Sequence, residues 1–251
     1  MDRKHSERRE HYAKNGYVIL RQLFRPERLH CLAQTLRCAL PTVQDDIDTR
    51  SVESDVLSAE AADHKFVYNA AQSVGSSAAA YSILGGEHTL DSITDVTGYE
   101  ETCIHVLPMY LIIQLPGDDR FDYGWHQDGA YYPWADQMTT LWFPVNRATN
   151  AETGTISVIP GSHTDKIRGS QTSFRNGYFK QIITELKEAE PQSEQMLDME
   201  PGDCCLMDGS LVHRSVPNRA DSPRVAGVVR MINVPMHTPY ERDRFYCVHK
   251  S

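Results

Sequence analysis

The sequence predicts a mainly β fold of the α+β type, a double-stranded β-helix (jelly-roll) with N-terminal helices packed on one sheet. Short strand-like runs bounded by Gly, Pro or Asn recur after residue 100, a pattern typical of antiparallel sandwiches and barrels. Helical periodicity is concentrated instead in the first hundred residues. At 251 residues and without an internal repeat, the chain suits a single domain over residues 1–251.

The first hundred residues supply the predicted helices. Residues 1–14 are densely charged and predict a short helix or a frayed arm, and the β-branched and aromatic run 17–20 predicts a strand. Pro26 can open a helix, and residues 74–98 predict one or two short helices with turns. The apolar stripe of the helix after Pro26 recurs at helical spacing and consists of Leu29, Leu32, Ala33, Leu36 and Leu40.

An acidic segment between residues 44 and 63 shows little periodicity. Its carboxylates are Asp45, Asp46, Asp48, Glu53, Asp55, Glu60 and Asp63. Such a run is most often a solvated loop or a weak helix. The functional alternative is a mobile acidic lid over a pocket, which would suit a cationic substrate.

The strands are predicted in the rest of the chain. Residues 103–115 are almost continuously apolar and predict a strand buried on both faces. Residues 165–195 are a longer insertion that predicts helix plus loop over the active face, a second candidate lid. The remaining predicted strands are 139–145, 155–159, 203–207 and 225–234.

Composition restricts the class of protein. A net charge of −9 argues against nucleic acid or anionic lipid as the main partner. No run of about eighteen apolar residues is available to span a membrane, and the start has no apolar signal segment. Six scattered cysteines do not form a disulfide scaffold and suit a reducing compartment. We therefore expect a cytoplasmic protein with neither nucleic acid nor a membrane as its partner, and composition does not decide between a monomer and a homodimer.

A candidate metal site consists of His126, Asp128 and His213. Positions i and i+2 of an extended strand end point the same way, so His126 and Asp128 can bind one ion together. Two imidazoles and one carboxylate form the ligand set of non-haem Fe(II) oxygenases. A zinc-dependent hydrolase or lyase could use the same three ligands, and a non-catalytic small-molecule binding module could retain them.

The surrounding motifs resemble the phytanoyl-CoA dioxygenase-like branch of Fe(II)/2-oxoglutarate oxygenases, from about residue 16 to about residue 234. The matching pieces are, in order, GYVIL at 16–20, PG at 116–117, HQD at 126–128, VIPGSH at 158–163, PGD at 201–203 and the segment 213–224. Six ordered pieces at family-like spacing are more specific than any one of them. The resemblance implies Fe(II), with 2-oxoglutarate and O2 as cosubstrates, and makes His163 part of a structural turn rather than a ligand.

The resemblance also assigns the cosubstrate anchor. Arg224, eleven places after His213, would hold the remote carboxylate of 2-oxoglutarate, because a planar guanidinium makes two parallel bonds to a carboxylate. Ser215 would add a hydroxyl donor to the same end. Arg230 lies on the same strand face and is the competing choice, since an offset of six is even; family spacing favours Arg224. Trp142 matches a position that packs against or hydrogen-bonds the cosubstrate, and a plain core tryptophan is the alternative.

Further candidates are assigned with less specific signals. Met109, Leu111 and Gln114 are expected on a strand that faces the metal, where Gln114, polar in an apolar run, should find a partner at the pocket. In the family, a strand at the position of 66–68 often reaches the pocket edge. The aromatic residues after the triplet could line the substrate pocket or cover the sheet. The substrate-pocket candidates are Lys65, Tyr131, Tyr132 and Trp134.

The implied reaction is oxidative decarboxylation of 2-oxoglutarate to succinate and CO2, coupled to hydroxylation of an unactivated C–H bond. Desaturation, epoxidation, ring closure or epimerisation are alternatives, because substrate geometry selects among them. Related halogenases carry a small residue in place of Asp128, so halogenation is disfavoured. No basic cluster near the site suits a CoA phosphate. The acidic segment 45–63 favours an uncharged or amine-bearing substrate, such as a natural product or a small polar metabolite.

Overall fold

The helices form a layer on one face of the largest sheet. The computed structural model describes residues 3–41, 50–85, 88–100, 103–118, 120, 122–135, 137–165, 167–175, 178–184, 186 and 190–234. The helices are α1 (Arg3–Asn15), α2 (Pro26–Ala39), α3 (Val52–Ala62), α4 (His64–Val74), α5 (Ala78–Leu84) and α6 (Thr89–Thr97). The predicted stripe of α2 is buried in the core they share with the sheet. None of these helices is long and apolar enough to cross a membrane.

One expectation for the acidic segment is corrected, since not all of its carboxylates are solvated. Most of the described part of the acidic segment is helix α3, which begins at an N-cap in which Ser51 accepts a hydrogen bond from the Ser54 amide. Its Asp55 is fully buried and forms an ion pair with Arg37 (2.6 Å), so this carboxylate is structural. Asp45, Asp46 and Asp48 lie outside the described residues.

The major sheet has the strand order β1-β9-β4-β11-β2, and β3 also pairs with β11; every pairing in it is antiparallel. Its strands are β1 (Tyr17–Leu20), β2 (Ile104–Val106), β3 (Tyr110–Gln114), β4 (Met138–Pro144), β9 (Cys204–Asp208) and β11 (Arg224–Asn233). The expected continuous strand 103–115 is two strands, because the chain leaves the ladder around Pro108, which has no N–H to donate. Both pieces pair with β11.

Successive side chains of β11 point to opposite faces of the strand and pack in two different hydrophobic cores. Val225, Val229 and Met231 pack with the helices. Ala226 and Val228 point the opposite way and pack in a second cluster inside the jelly-roll. The second cluster also receives side chains from β5 (Ile156–Val158), which lies in a smaller sheet of order β10-β5-β8. The other strands of that sheet are β8 (Gln195–Met196) and β10 (His213–Ser215).

The insertion 165–195 differs from the expected helix plus loop. Its described part contains an antiparallel hairpin of β6 (Ser170–Arg175) and β7 (Tyr178–Ile183), followed by a short 3-10 turn at Glu190–Ser193. The hairpin is joined to the segment of the HQD triplet, since the Ile183 amide donates a hydrogen bond to the Trp125 carbonyl (2.9 Å). The element next to the site is therefore a β-hairpin.

Candidate metal centre

Backbone pairing brings the three predicted metal ligands together. His126 and His213 exchange both backbone hydrogen bonds (2.9 and 3.0 Å), which places their rings 4.1 Å apart between centroids. Asp128 opens the 3-10 turn that follows the triplet. One ligand atom from each of the three buried side chains lies within 4.8 Å of the other two. The geometry suits one shared ion.

Both imidazoles are oriented by backbone carbonyls. Nδ1 of His126 lies 2.8 Å from the Gly124 carbonyl oxygen, and Nδ1 of His213 lies 3.0 Å from that of Leu211. A proton on Nδ1 satisfies each contact and leaves Nε2 as the lone-pair donor for a metal. Burial, followed by the neighbouring His213, lowers the pKa of His126 to about 3. The ring is thus neutral at physiological pH, as a metal ligand must be.

Asp128 is held at both oxygens. Thr140 Oγ1 donates to Oδ2 (2.6 Å), and Arg230 Nη2 donates to Oδ1 (2.9 Å). Burial opposes ionisation of this carboxyl group, but Arg230 and then the two histidines lower its pKa below the ordinary value. Asp128 is therefore ionised. The contact of Thr140 with Asp128 has no signal in the sequence, and the sequence predicts Arg230 only as an alternative anchor for 2-oxoglutarate.

Arg224 has unsatisfied donors on the same inner face. It is 2% exposed, and its guanidinium carbon lies 5.3 Å from the centroid of the Trp142 ring. Its Nη2 donates to Gln114 Oε1, whereas Nε and Nη1 have no hydrogen-bond partner among the described residues. Burial lowers its pKa to about 10, so the guanidinium stays charged at neutral pH. A buried cation with two unused donors is suited to an anionic ligand.

The donor set fits the implied cofactors. Two neutral imidazoles and one carboxylate match Fe(II), and the unpaired nitrogens of Arg224 match a carboxylate of 2-oxoglutarate. Ser215 lies two places after His213 on β10, so its side chain shares the strand face of that ligand. Its amide donates to the Tyr123 carbonyl (2.8 Å).

The structure does not bring Met109, Leu111 and Lys65 to this face. Leu111 packs with the helices, as does Met109 just before β3, because Gln114 and Leu111 differ by an odd number of residues. Lys65 is exposed on helix α4, not on a strand. That helix packs on the side of β3 that carries Leu111, opposite to Gln114.

The aromatic candidates surround the triplet. The Tyr131 ring stands edge-on to His126 at 6.5 Å, and its hydroxyl accepts a hydrogen bond from the Gln181 amide (2.7 Å). The Tyr132 ring lies 5.7 Å from the Arg230 guanidinium carbon and 6.0 Å from the Trp134 ring. Tyr131 and Tyr132 therefore adjoin metal-site residues, and Trp134 packs next to Tyr132.

Two side chains with no predicted role, Gln127 within the triplet and Lys180 on β7, hold the triplet segment in place. Gln127 Nε2 donates to the Ser210 carbonyl (2.6 Å), and Gln127 Oε1 accepts from the Arg168 amide (2.8 Å). Lys180, buried on β7, donates to the Asp122 carbonyl (2.8 Å). His163 stays outside the metal cluster, as expected, and its Nε2 lies 3.1 Å from the Ala13 carbonyl oxygen.

Comparisons with known proteins identify relatives. The family model described as phytanoyl-CoA dioxygenase (PhyH) matches residues 12–226. A probable phytanoyl-CoA dioxygenase of Caenorhabditis elegans is 22% identical over 228 residues, which cover 88% of this chain and 73% of that relative.

Two solved structures share the fold. EvdO2 from Micromonospora carbonacea var. aurantiaca, complexed with 2-oxoglutarate, has a TM-score of 0.63 at 17% identity, covering 97% of this chain and 96% of the other. The epimerase SnoN, in complex with Fe3+, alpha ketoglutarate and nogalamycin RO, has a TM-score of 0.65 at 13% identity, covering 92% of this chain and 84% of the other.

Proposed function

Because the chain belongs to the phytanoyl-CoA dioxygenase (PhyH) family, we propose that it is an Fe(II)- and 2-oxoglutarate-dependent dioxygenase that hydroxylates an unactivated C–H bond of a small molecule. The observation that carries the proposal is the combination of two buried sites in the interior of the jelly-roll, one with ligands next to the smaller sheet and one on the major sheet. One is the His126, Asp128 and His213 cluster. The other is the buried Arg224 guanidinium with two unpaired nitrogens. A hydrolytic zinc site has no need of the second.

The side chains have separate tasks. His126 and His213 would bind the metal as neutral imidazoles, and Asp128 would contribute a charge that offsets part of the dication. Arg224, stacked near Trp142, would bind the remote carboxylate of 2-oxoglutarate and so orient the cosubstrate. Ferrous iron supplies the oxidising chemistry when bound: 2-oxoglutarate, O2 and the C–H substrate become succinate, CO2 and the alcohol.

The proposed substrate is a natural-product scaffold or a small polar metabolite. Support comes from the nogalamycin compound bound to the structurally similar SnoN. The name of another relative, dioxygenase lolE1 of Epichloe uncinata, supports the reaction class. Tyr131 and Tyr132 stand beside His126 and Arg230 and would form part of the wall that excludes water and orients the substrate. Hydroxylation is proposed as the outcome, and substrate geometry could redirect it to the alternatives given above.

Succinate release tests the proposal. The wild-type protein with Fe(II), 2-oxoglutarate and O2 should form succinate slowly without substrate and faster with one, and oxygen should be consumed. Asp128→Ala should abolish succinate formation, because one metal ligand and its charge are lost. Asp91→Ala, at a side chain 70% exposed on α6, is the control that should retain it. Full turnover in the Asp128 variant would contradict the assignment. Turnover without oxygen consumption would favour a hydrolase.

A further inference from the structure

Asp128 accepts hydrogen bonds from two side chains that lie opposite each other on adjacent strands. Thr140 on β4 and Arg230 on β11 are direct partners in the antiparallel register, and both point to the inner face. Thr140 binds Oδ2 at 2.6 Å, and Arg230 binds Oδ1 at 2.9 Å. Each carboxylate oxygen therefore has its own protein donor.

Arg230 lies on β11 at a position well separated from that of Arg224. Arg224 is paired across the sheet with Gln114, six residues before the pair of Arg230 with Thr140. Six strand residues span about 20 Å, so the two arginines cannot serve the same carboxylate. In the part of the chain that the structure describes, the ion-pair partner of Arg230 is Asp128.

The guanidinium of Arg230 is fixed by aromatic rings. Its central carbon lies 5.5 Å from the centroid of Tyr110 and 5.7 Å from that of Tyr132. These cation–π contacts hold the donor group in place while Nη2 contacts Asp128. A cation held in this way orients the carboxylate that it contacts.

We propose that Thr140 and Arg230 are positioning residues that restrict Asp128 to one metal-ligating oxygen, Oδ1. This inference rests on the proposed function. Oδ1 lies 3.9 Å from His126 Nε2, on the side of the histidine ligands. Oδ2 is tied to Thr140. A carboxylate without such restraint can bind a metal through both oxygens.

The restriction preserves open metal positions. Three protein ligand atoms leave three positions of an octahedral ion, two for the chelating end of 2-oxoglutarate and one for O2. A carboxylate that turned to bind through both oxygens would take the last position. The contacts of Thr140 and Arg230 with Asp128 would thus keep the O2 position on the metal open, and they would not be needed for the affinity for iron.

Nitric oxide is a suitable probe, because it binds ferrous iron at an open position and gives a characteristic electron paramagnetic resonance signal. The anaerobic Fe(II) and 2-oxoglutarate complex of the wild type should bind it. Thr140→Val and Arg230→Gln should keep the visible band of bound 2-oxoglutarate but bind nitric oxide at least about tenfold more weakly, the size typical of lost outer contacts at metal sites. Thr140→Ser, which retains the hydroxyl, should stay near the wild type.

Arg37→Gln is the matched control for loss of a buried ion pair. Arg37 binds Asp55 at 2.6 Å in the helical layer, so this variant should lose stability without losing nitric oxide affinity. Unchanged nitric oxide binding in Thr140→Val and Arg230→Gln would overturn the inference, as would equal loss in Thr140→Ser or Arg37→Gln. A wild type that binds iron but shows no 2-oxoglutarate band would sink the proposed function and this inference together.

Discussion

At the scale of single residues, Arg224 is a charge placed where water cannot solvate it. Burial lowers its pKa to about 10, but at neutral pH it remains a cation that needs compensation. Gln114 supplies one acceptor, and Nε and Nη1 find none among the described residues. A bound dicarboxylate would supply both the charge and the acceptors. Affinity for 2-oxoglutarate should therefore depend on this side chain more than on its neighbours.

Arg224→Lys tests that dependence. The variant keeps the positive charge but loses the planar fork, so we expect 2-oxoglutarate to bind about tenfold or more weakly, the equivalent of one charge-assisted hydrogen bond. Arg224→Gln should bind it more weakly still. Calorimetric titration of the metal-loaded protein measures both affinities. An unchanged affinity in Arg224→Gln would mean that another residue holds the cosubstrate.

Strand parity explains which site residues could be predicted. The HQD spacing and the distance from His213 to Arg224 are visible in the sequence. The structure brings His126, Asp128 and His213 together, and it buries Arg224 beside Trp142 on the major sheet. Leu111 and Gln114 cannot share a strand face because their offset is odd, so expecting both at the metal was wrong. The contact of Thr140 with Asp128 depends on the β4–β11 register, which one sequence does not determine.

At the scale of elements, Asp203 fastens the end of β1 to the start of β9. It accepts hydrogen bonds from the Arg21 guanidinium (2.6 Å), the Gln22 amide (2.9 Å) and the Glu200 amide (3.0 Å). Gln22 has a positive φ of 52°, a conformation that costs energy for a residue with a side chain. The carboxylate of Asp203 thus stabilises the strained turn that follows β1 and connects this turn to the start of β9.

Asp203→Ala should lower the free energy of unfolding by roughly 3 kcal/mol, since charge-assisted bonds are lost and two amides lose an acceptor. Burial raises the pKa of Asp203, but the hydrogen bonds from the Glu200 and Gln22 amides and from Arg21 lower it by more. The pKa of Asp203 in the folded protein is therefore below its ordinary value. The unfolded state then binds the proton more readily. This stabilisation is present above about pH 4 and is lost as pH falls through the folded pKa.

Denaturant unfolding of the wild type and Asp203→Asn between pH 3 and pH 7 measures this contribution, about 1 kcal/mol or more at neutral pH. The difference in stability between them should shrink as the solution becomes acidic. Parallel pH profiles would show that the Asp203 carboxylate is not responsible for acid sensitivity.

Elements with a strong periodicity were predicted, and elements fixed by tertiary contacts were not. The stripe after Pro26 gave helix α2, and the β-branched run gave β1. The run 66–68 was expected as a strand, but Asp63 accepts a hydrogen bond from the Phe66 amide and begins helix α4. The hairpin of β6 and β7 has weak local signals and is attached to the triplet segment by contacts distant in sequence.

At the scale of the whole molecule, the two faces of β11 contribute to two different parts of the fold. One of its faces packs on the helical layer, and the other carries Arg224 and Arg230 towards the interior. The metal ligands come from segments almost ninety residues apart, joined by the His126–His213 pairing. A bound metal would therefore cross-link two distant parts of the chain, and metal binding should be coupled to global stability.

Addition of a divalent metal should raise the free energy of unfolding by about 2.7 kcal/mol when its free concentration is 100 times its Kd. Co(II), which is stable in air, is a convenient probe in thermal or denaturant unfolding. His213→Ala should lose this increment, whereas His163→Ala should retain it relative to its own baseline, because His163 lies outside the cluster. An equal loss in both variants would remove the distinction between ligand and structural histidine.

The central claim is that the interior of the jelly-roll binds Fe(II) and 2-oxoglutarate together, and anaerobic spectroscopy tests it most directly. Adding Fe(II) and then 2-oxoglutarate to the wild type should produce the visible charge-transfer band of a 2-oxoacid chelated to ferrous iron. The band should be absent from His213→Ala and strongly weakened in Arg224→Gln at the same 2-oxoglutarate concentration. Iron binding without the band in the wild type would contradict the account.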